Sequence, residues 1–272
     1  MKAARWSGVT QAMGIVAVVS AILIAAGPLG AQSLARRIAD APDGKVRLEY
    51  AARPDLCGNG NYVSRGGNNR TSWDSDYSDD VEYTEECMRS PVRLVIYKDG
   101  GAVSKIRTYV GGRWRPPVGT VTNIGPVSVR DATDYLMSLA SGGSIPAARE
   151  AIFPMTLADS VVIWPGLMKL ARDANRPREV RTQSVFWLSQ IAGEAVTANL
   201  AALTGEDALD REIRKQAVFA LSQRRNEEGV TALIQVARTN RDPEIRKNAL
   251  FWLGQSHDPR ALALFEEILS KR

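Results

Sequence analysis

The apolar positions of the chain change their period once. In the first half they alternate. Val46, Leu48 and Tyr50 are interleaved with Arg47, Glu49 and Ala51, and Val92, Leu94 and Ile96 with Arg93, Val95 and Tyr97. This is the period of half-buried strands. Lys98-Asp-Gly-Gly101 is a hairpin turn sequence, and a further strand is predicted from Val103 to Val110. A small antiparallel sheet is therefore expected. Ser128, with Asp131 three residues on, opens a short predicted helix from Val129 to about Leu139, on which Ala132, Tyr135, Leu136 and Leu139 share a face. Ser141-Gly-Gly-Ser144 and Pro146 then break the pattern, so a mostly β domain is placed at 32–140 and a linker at 141–147.

Beyond that break the period becomes helical and the sequence repeats. Pro177–Gln190, Asp210–Gln223 and Asp242–Gln255 align with one another, with Glu179, Glu212 and Glu244 in equivalent places at offsets of 33 and 32 residues. Such spacing marks a helical repeat array. Val180, Ser184, Trp187, Leu188 and Ile191 form one helical stripe, matched by Ile213, Ala217 and Leu221 and by Ile245, Ala249 and Leu253. Asp210 and Asp242 stand at N-cap positions, Pro177 and Pro243 suit a first turn, and the three glutamates put negative charge at the positive helix end. A second apolar segment follows each copy: Glu194 to Leu203, Glu227 to Arg238 and Pro259 to Leu269. Leu167-Met-Lys-Leu-Ala-Arg172 is similar to Leu233-Ile-Gln-Val-Ala-Arg238, which places an earlier, degenerate unit at about Ile145 to Ala174.

The helix start Glu-Val/Ile-Arg with Arg181, Arg214 and Arg246, the Ala/Ser step and the closing Leu resemble HEAT-like repeats, the two-helix type also seen in relatives of the phycobilisome lyases. The Phe-Trp-Leu-Ser/Gly-Gln ending looks like that of exported bacterial HEAT-repeat proteins. The resemblance covers about 145 to 272. It implies an α+β chain in which about four hairpins of α-solenoid, over 148–272, follow a disulfide-containing, mostly β domain. For function it implies binding or scaffolding, and no lyase active-site pattern carries over residue by residue.

Lys2 and Arg5 precede an apolar run from Ala12 to Ala26, which Gly27-Pro28 interrupts before Leu29-Gly30-Ala31. Residues 1–31 therefore read as a secretory signal peptide cleaved near Ala31-Gln32, and the run is shorter than the roughly 20 residues of a spanning helix. A periplasmic or secreted bacterial protein is expected, with membrane association only if this segment is retained. Cleavage would remove Lys2 and Arg5 and no acid, taking the net charge from +5 to +3. So even a balance lacks the basic stripe that nucleic acid requires. Two cysteines, Cys57 and Cys87, in an exported chain point to a disulfide, with two unpaired thiols as the alternative.

Between these cysteines lie two turn-rich stretches and a crowd of acids. Asp74, Asp76, Ser78, Asp80, Glu82 and Glu85 fall at EF-hand ligand spacing, but Asp79 stands where that loop needs glycine. A solvated acidic loop is the expectation, and a calcium site at Asp74, Asp76, Asp80 and Glu85 is its rival. Asn69-Arg-Thr71 is a glycosylation sequon of no consequence in a bacterial chain. Catalytic chemistry is poorly represented. His257 is the sole histidine, expected in a turn, and no nucleophile motif, phosphate loop, zinc spacing or cofactor fingerprint accompanies it. A non-enzymatic interaction scaffold or adaptor is expected. The alternative is a cell-envelope enzyme or accessory subunit with its ligand site in the first domain.

Phe186, Phe219 and Phe251 recur, with Trp187 and Trp252 beside two of them, and each Phe points away from the intra-hairpin stripe. They are expected either to pack between successive units or to form an exposed aromatic ladder for a protein partner. Gln190, Gln223 and Gln255 are expected to bond backbone within their turns. Arg181, Arg214 and Arg246 are expected to ladder with acids of the adjoining unit.

Overall fold

A computed structural model describes residues 32–65, 69–72, 79–224 and 227–270. Among the described residues helix α1 (Leu34–Asp40) precedes nine strands: β1 (Gly44–Tyr50), β2 (Leu56–Gly58), β3 (Tyr62–Arg65), β4 (Asn69–Ser72), β5 (Val81–Glu82), β6 (Val92–Asp99), β7 (Ala102–Val110), β8 (Arg113–Trp114) and β9 (Val121–Pro126). The predicted signal segment lies outside the described residues.

The main sheet has the order β7-β6-β1-β9. β6 is antiparallel to both β1 and β7, but β9 runs parallel to β1. The sheet is thus mixed rather than antiparallel throughout, because apolar alternation records which face a residue takes and carries nothing about strand direction. Smaller sheets β2-β3-β4 and β5-β8 stand beside it. Val46, Leu48 and Tyr50 are buried as their alternation requires, and so is Arg47 from the opposite face. Trp114 covers Arg47 there, the guanidinium lying 5.0 Å from the ring centroid. The buried ammonium of Lys98 closes α1 by donating to the carbonyls of Ile38, Ala39 and Ala41, as a cation at a helix C-terminus should.

The helices then run in succession: α2 (Val129–Gly142), α3 (Ile145–Thr156), α4 (Trp164–Arg172), α5 (Arg178–Ser189), α6 (Glu194–Thr204), α7 (Arg211–Ser222), α8 (Glu227–Thr239), α9 (Pro243–Gln255) and α10 (Pro259–Ser270). α3, α5, α7 and α9 stack on one another as an inner layer, while α2, α4, α6, α8 and α10 lie behind them. The hairpins α3/α4, α5/α6, α7/α8 and α9/α10 fall on the four repeat units.

The stretch expected as a linker is mostly helix. Only Gly143 and Ser144 separate α2 from α3. α2, expected to belong to the β domain, packs along α3 and takes the first place in the outer layer. Tyr50 donates its hydroxyl to the Pro154 carbonyl at 2.7 Å, Arg53 N–H bonds the Leu157 carbonyl, and Asp159 N–H bonds the Ala51 carbonyl. Sheet and repeats therefore share one core, from Leu34 through Ile96 and Met155 to Leu264, and residues from Ser33 onward form one compact unit. The glycine-rich break signalled a tight helix-to-helix turn. A domain boundary and such a turn leave the same local signature.

Polar contacts join successive units. Arg181 pairs with Asp210 at 2.6 Å and Arg214 with Asp242 at 3.1 Å, as the expected ladder requires. Arg246 ends the series by donating to the carbonyls of Asn240 and Arg241. Asp242 also caps α9 by accepting from Glu244 N–H, whereas Asp210, committed to Arg181, makes no side-chain cap to α7. The two predicted N-caps differ because one carboxylate serves both neighbours and the other only one.

Candidate functional site

Three side chains recur along α5, α7 and α9 on one side of each: Gln183, Phe186 and Gln190, the last just past the end of α5; Gln216, Phe219 and Gln223, the last just past α7; and Asn248, Phe251 and Gln255, the last closing α9. The spacing i, i+3, i+7 keeps each trio on one helical face. Trp187 and Trp252 lie beside this stripe and lean toward the preceding unit. Trp187 stacks on Phe153 of α3, with centroids 5.0 Å apart, and Trp252 on Phe219 of α7 at 5.1 Å. The tryptophans, more than the phenylalanines, bind one unit to the next. Phe186 and Phe251 each meet their own tryptophan edge-on. They remain 37% and 57% exposed, while Trp187 is 9% exposed and Phe219 lies between. Phe219 thus packs between units, and Phe186 and Phe251 stand exposed.

The recurring glutamines differ from expectation. Gln190 donates to Ser189 Oγ at 2.9 Å and Gln223 to Ser222 Oγ at 3.2 Å, and among the described residues neither side-chain amide makes a backbone bond. Those serines back-bond to Phe186 and Phe219 carbonyls within the last helical turn, which fixes the hydroxyl where the exposed amide can reach it. In the third unit Gly254 replaces the serine and Gln255 is exposed. The stripe alternates hydrogen-bonding amides with ring surface, chemistry suited to a polypeptide, which offers both peptide groups and apolar side chains.

At its α3 and α5 end the stripe runs into the β region, where two clefts flank Trp187 and Phe153. The first, of about 280 Å³, is lined along one side by Lys105 to Val110 of β7 and walled by Tyr62, Tyr83, Phe153 and Trp187. The second, of about 380 Å³, lies between β2-β3 and the ends of α3, α5 and α7, and takes in Arg53, Phe186, Gln190 and Gln223. Val63, Phe153 and Trp187 border both. Glu150 of α3 helps to hold β7 against the helices, its carboxylate accepting Ile106 N–H at 2.6 Å.

The disulfide Cys57–Cys87 closes the β2 to β6 excursion beside the first cleft. Gly58 follows Cys57 directly, and its backbone lies so close to Gly111, at φ +67°, that a Cβ on Gly111 would sit 2.2 Å from the Gly58 carbonyl oxygen. The close crossing needs both glycines. Of the calcium candidates, Asp80 is engaged by protein side chains. Asp80 is buried, its Oδ1 accepting from Lys45 Nζ at 2.8 Å and Arg47 at 3.3 Å and its Oδ2 from the Tyr97 hydroxyl at 2.7 Å. Burial alone would raise this carboxyl, but the bonds from Lys45 and Tyr97 and the Lys45 charge hold it below the ordinary carboxylate range. Burial, then the bond to Asp80, pushes the Tyr97 phenol up. Asp74, Asp76 and Ser78 lie outside the described residues, and Glu85 is exposed. No cluster of three metal-ligating side chains occurs among the described residues. Likewise, no helix among them is long and apolar enough to cross a membrane. His257 sits in the exposed turn between α9 and α10 with a φ of 54°.

Two stacked layers of antiparallel helices, joined unit to unit by recurring arginine–aspartate pairs and aromatic stacks, define a helical-repeat protein. The family model for HEAT repeats matches residues 206–272, the part that carries α7 to α10. The C-terminal region is HEAT-like, and repeats of this kind commonly act as protein-interaction scaffolds. No curated protein matches the chain.

Proposed function

We propose that the protein is an exported, non-enzymatic scaffold of the bacterial envelope, of the phycobilisome-lyase-like HEAT type, which receives a protein partner on the outward stripe of its inner helices. The observation that carries the reading is the continued exposure of Phe186 and Phe251 in a row where the adjacent tryptophans already join the units. Packing between units does not require these two rings. Buried aromatic anchors within a rim of amides are the usual core of a protein interface. Export rests on the leader pattern and on the disulfide, which persists in an oxidising compartment.

Chemical crosslinking in the envelope of the source organism tests both parts. The native chain should retain one specific partner, and Phe186→Ala with Phe251→Ala should lose it while keeping the native melting temperature. Leu262→Ala, on exposed α10, should keep it. Loss through Leu262→Ala alone would move the site to the outer layer. The mass of the recovered chain should correspond to a start near Gln32, and recovery of an unprocessed cytoplasmic chain would refute export.

A further inference from the structure

β7 is an edge strand of the main sheet. In an antiparallel pair the backbone groups of alternate residues point toward the neighbour and away from it. Ile106 N–H reaches outward to Glu150, and the Val110 carbonyl reaches outward to Gly60 N–H at 2.9 Å. Parity therefore sends the Ile106 carbonyl, both groups of Thr108 and the Val110 N–H outward as well, along the wall of the first cleft. Among the described residues none of these four groups has a hydrogen-bond partner. Edges of this kind are usually blunted or covered. Among the described residues the edge is tied at both ends and open between them, over about 13 Å at the usual strand rise.

The side chains around the open segment indicate what could pair with it. Lys105 stands on one face of β7, Arg149 on the facing helix donates to Gln183, and the nearby carboxylate of Glu150 accepts Ile106 N–H. Ile106 and Val110 point to the other face, where Phe153 and Trp187 wall the cleft. An added strand would place alternate side chains beside Lys105 and the intervening ones toward the aromatic wall. We propose that β7 is a β-augmentation site for an extended partner segment carrying acidic residues at alternate positions and apolar residues between them. The proposal rests on the scaffold reading and names the partner segment and its docking strand.

The probe is a fluorescent octapeptide of alternating glutamate and leucine, titrated into the mature full chain by fluorescence anisotropy. Its lysine–leucine counterpart and a backbone N-methylated copy are the controls. The acidic peptide should bind at least about tenfold more tightly than either control, a difference of about 1.4 kcal/mol, and more weakly as salt rises. Thr108→Pro removes one outward N–H without touching the ladder to β6, and it should lower affinity at least about tenfold. Lys105→Glu should do the same without altering the backbone. Equal binding of the N-methylated peptide, indifference to both variants, or absence of binding by the folded chain would overturn the proposal. So would self-association through β7 in place of peptide capture. If these variants leave the crosslinked partner in place while Phe186→Ala with Phe251→Ala removes it, augmentation falls and the scaffold reading stands. If the peptide binds through β7 and the phenylalanine variants change nothing, the stripe falls instead.

Discussion

Replacing Asp80 by Asn tests how far the buried ion pairs of Asp80 hold the β region together. The side chain keeps its shape and can still meet the Tyr97 hydroxyl with its amide group, but it no longer carries the charge that Lys45 and Arg47 share. Removing one member of a buried ion pair costs about 3–5 kcal/mol when the other is left uncompensated. Two features lower that figure. Lys45 is 24% exposed and can turn to water, and Arg47 keeps the Arg115 carbonyl at 2.8 Å and the face of Trp114. The expected loss is about 2–3 kcal/mol, which in urea lowers the midpoint by about 1 M for a slope of 2–3 kcal/mol/M. The pH dependence has a definite sign. The folded carboxyl lies below its ordinary value, so the pair contributes fully above about pH 4 and its contribution fades as pH falls through the folded value. The difference between native and Asp80→Asn chains should therefore narrow on acidification. A loss below about 0.5 kcal/mol at pH 7, the range of neutral surface changes, or a difference that stays constant to pH 2, would refute the reasoning. Calcium should leave both midpoints unchanged, and a rise confined to the native chain would restore Asp80 as a ligand.

Other expectations follow from the contacts between units and from the disulfide. Trp187→Ala should cost about 3–5 kcal/mol in a denaturant titration, because it empties the junction with Phe153. Phe251→Ser, at a 57% exposed ring, should stay within about 1 kcal/mol of native. Cys57→Ser with Cys87→Ser opens a loop of sequence separation 30 and should lower stability by about 3–4 kcal/mol. Lys98→Met keeps the apolar stem but removes three bonds to the end of α1. It should raise hydrogen exchange in residues 34–41 well before it affects the repeats.

The repeats were legible because period, caps and recurring arginines all pointed one way. Alternation located β1, β6 and β7, and an even cysteine count behind a leader-like first segment pointed to the pair Cys57–Cys87. Three features were not legible, each for a physical reason. Strand direction leaves no trace in alternation, so the parallel β1/β9 pairing was hidden. Gly142-Gly143 closes a helix as readily as it opens a linker, so the shared core of sheet and repeats was missed. Asp80 looked like its acidic neighbours because the partners that bury it, Lys45, Arg47 and Tyr97, lie 17 to 35 residues away. The outward stripe was partly visible. Phe186, Phe219 and Phe251 and the closing glutamines stood out, and Gln183, Gln216 and Asn248 follow once the helix is wound. The cleft along β7 depends on which strand ends as the sheet edge, and strand order lies outside local pattern.

The central claim is that the outward stripe of the inner helices receives the partner. Photocrosslinking tests it most directly, with a benzophenone side chain placed at Gln216, at Phe251 or at Leu262 in the otherwise native chain. The account predicts that Gln216 and Phe251 trap the same protein and that Leu262 traps none. Trapping of that protein from Leu262 alone, or from no position on the stripe, would contradict it.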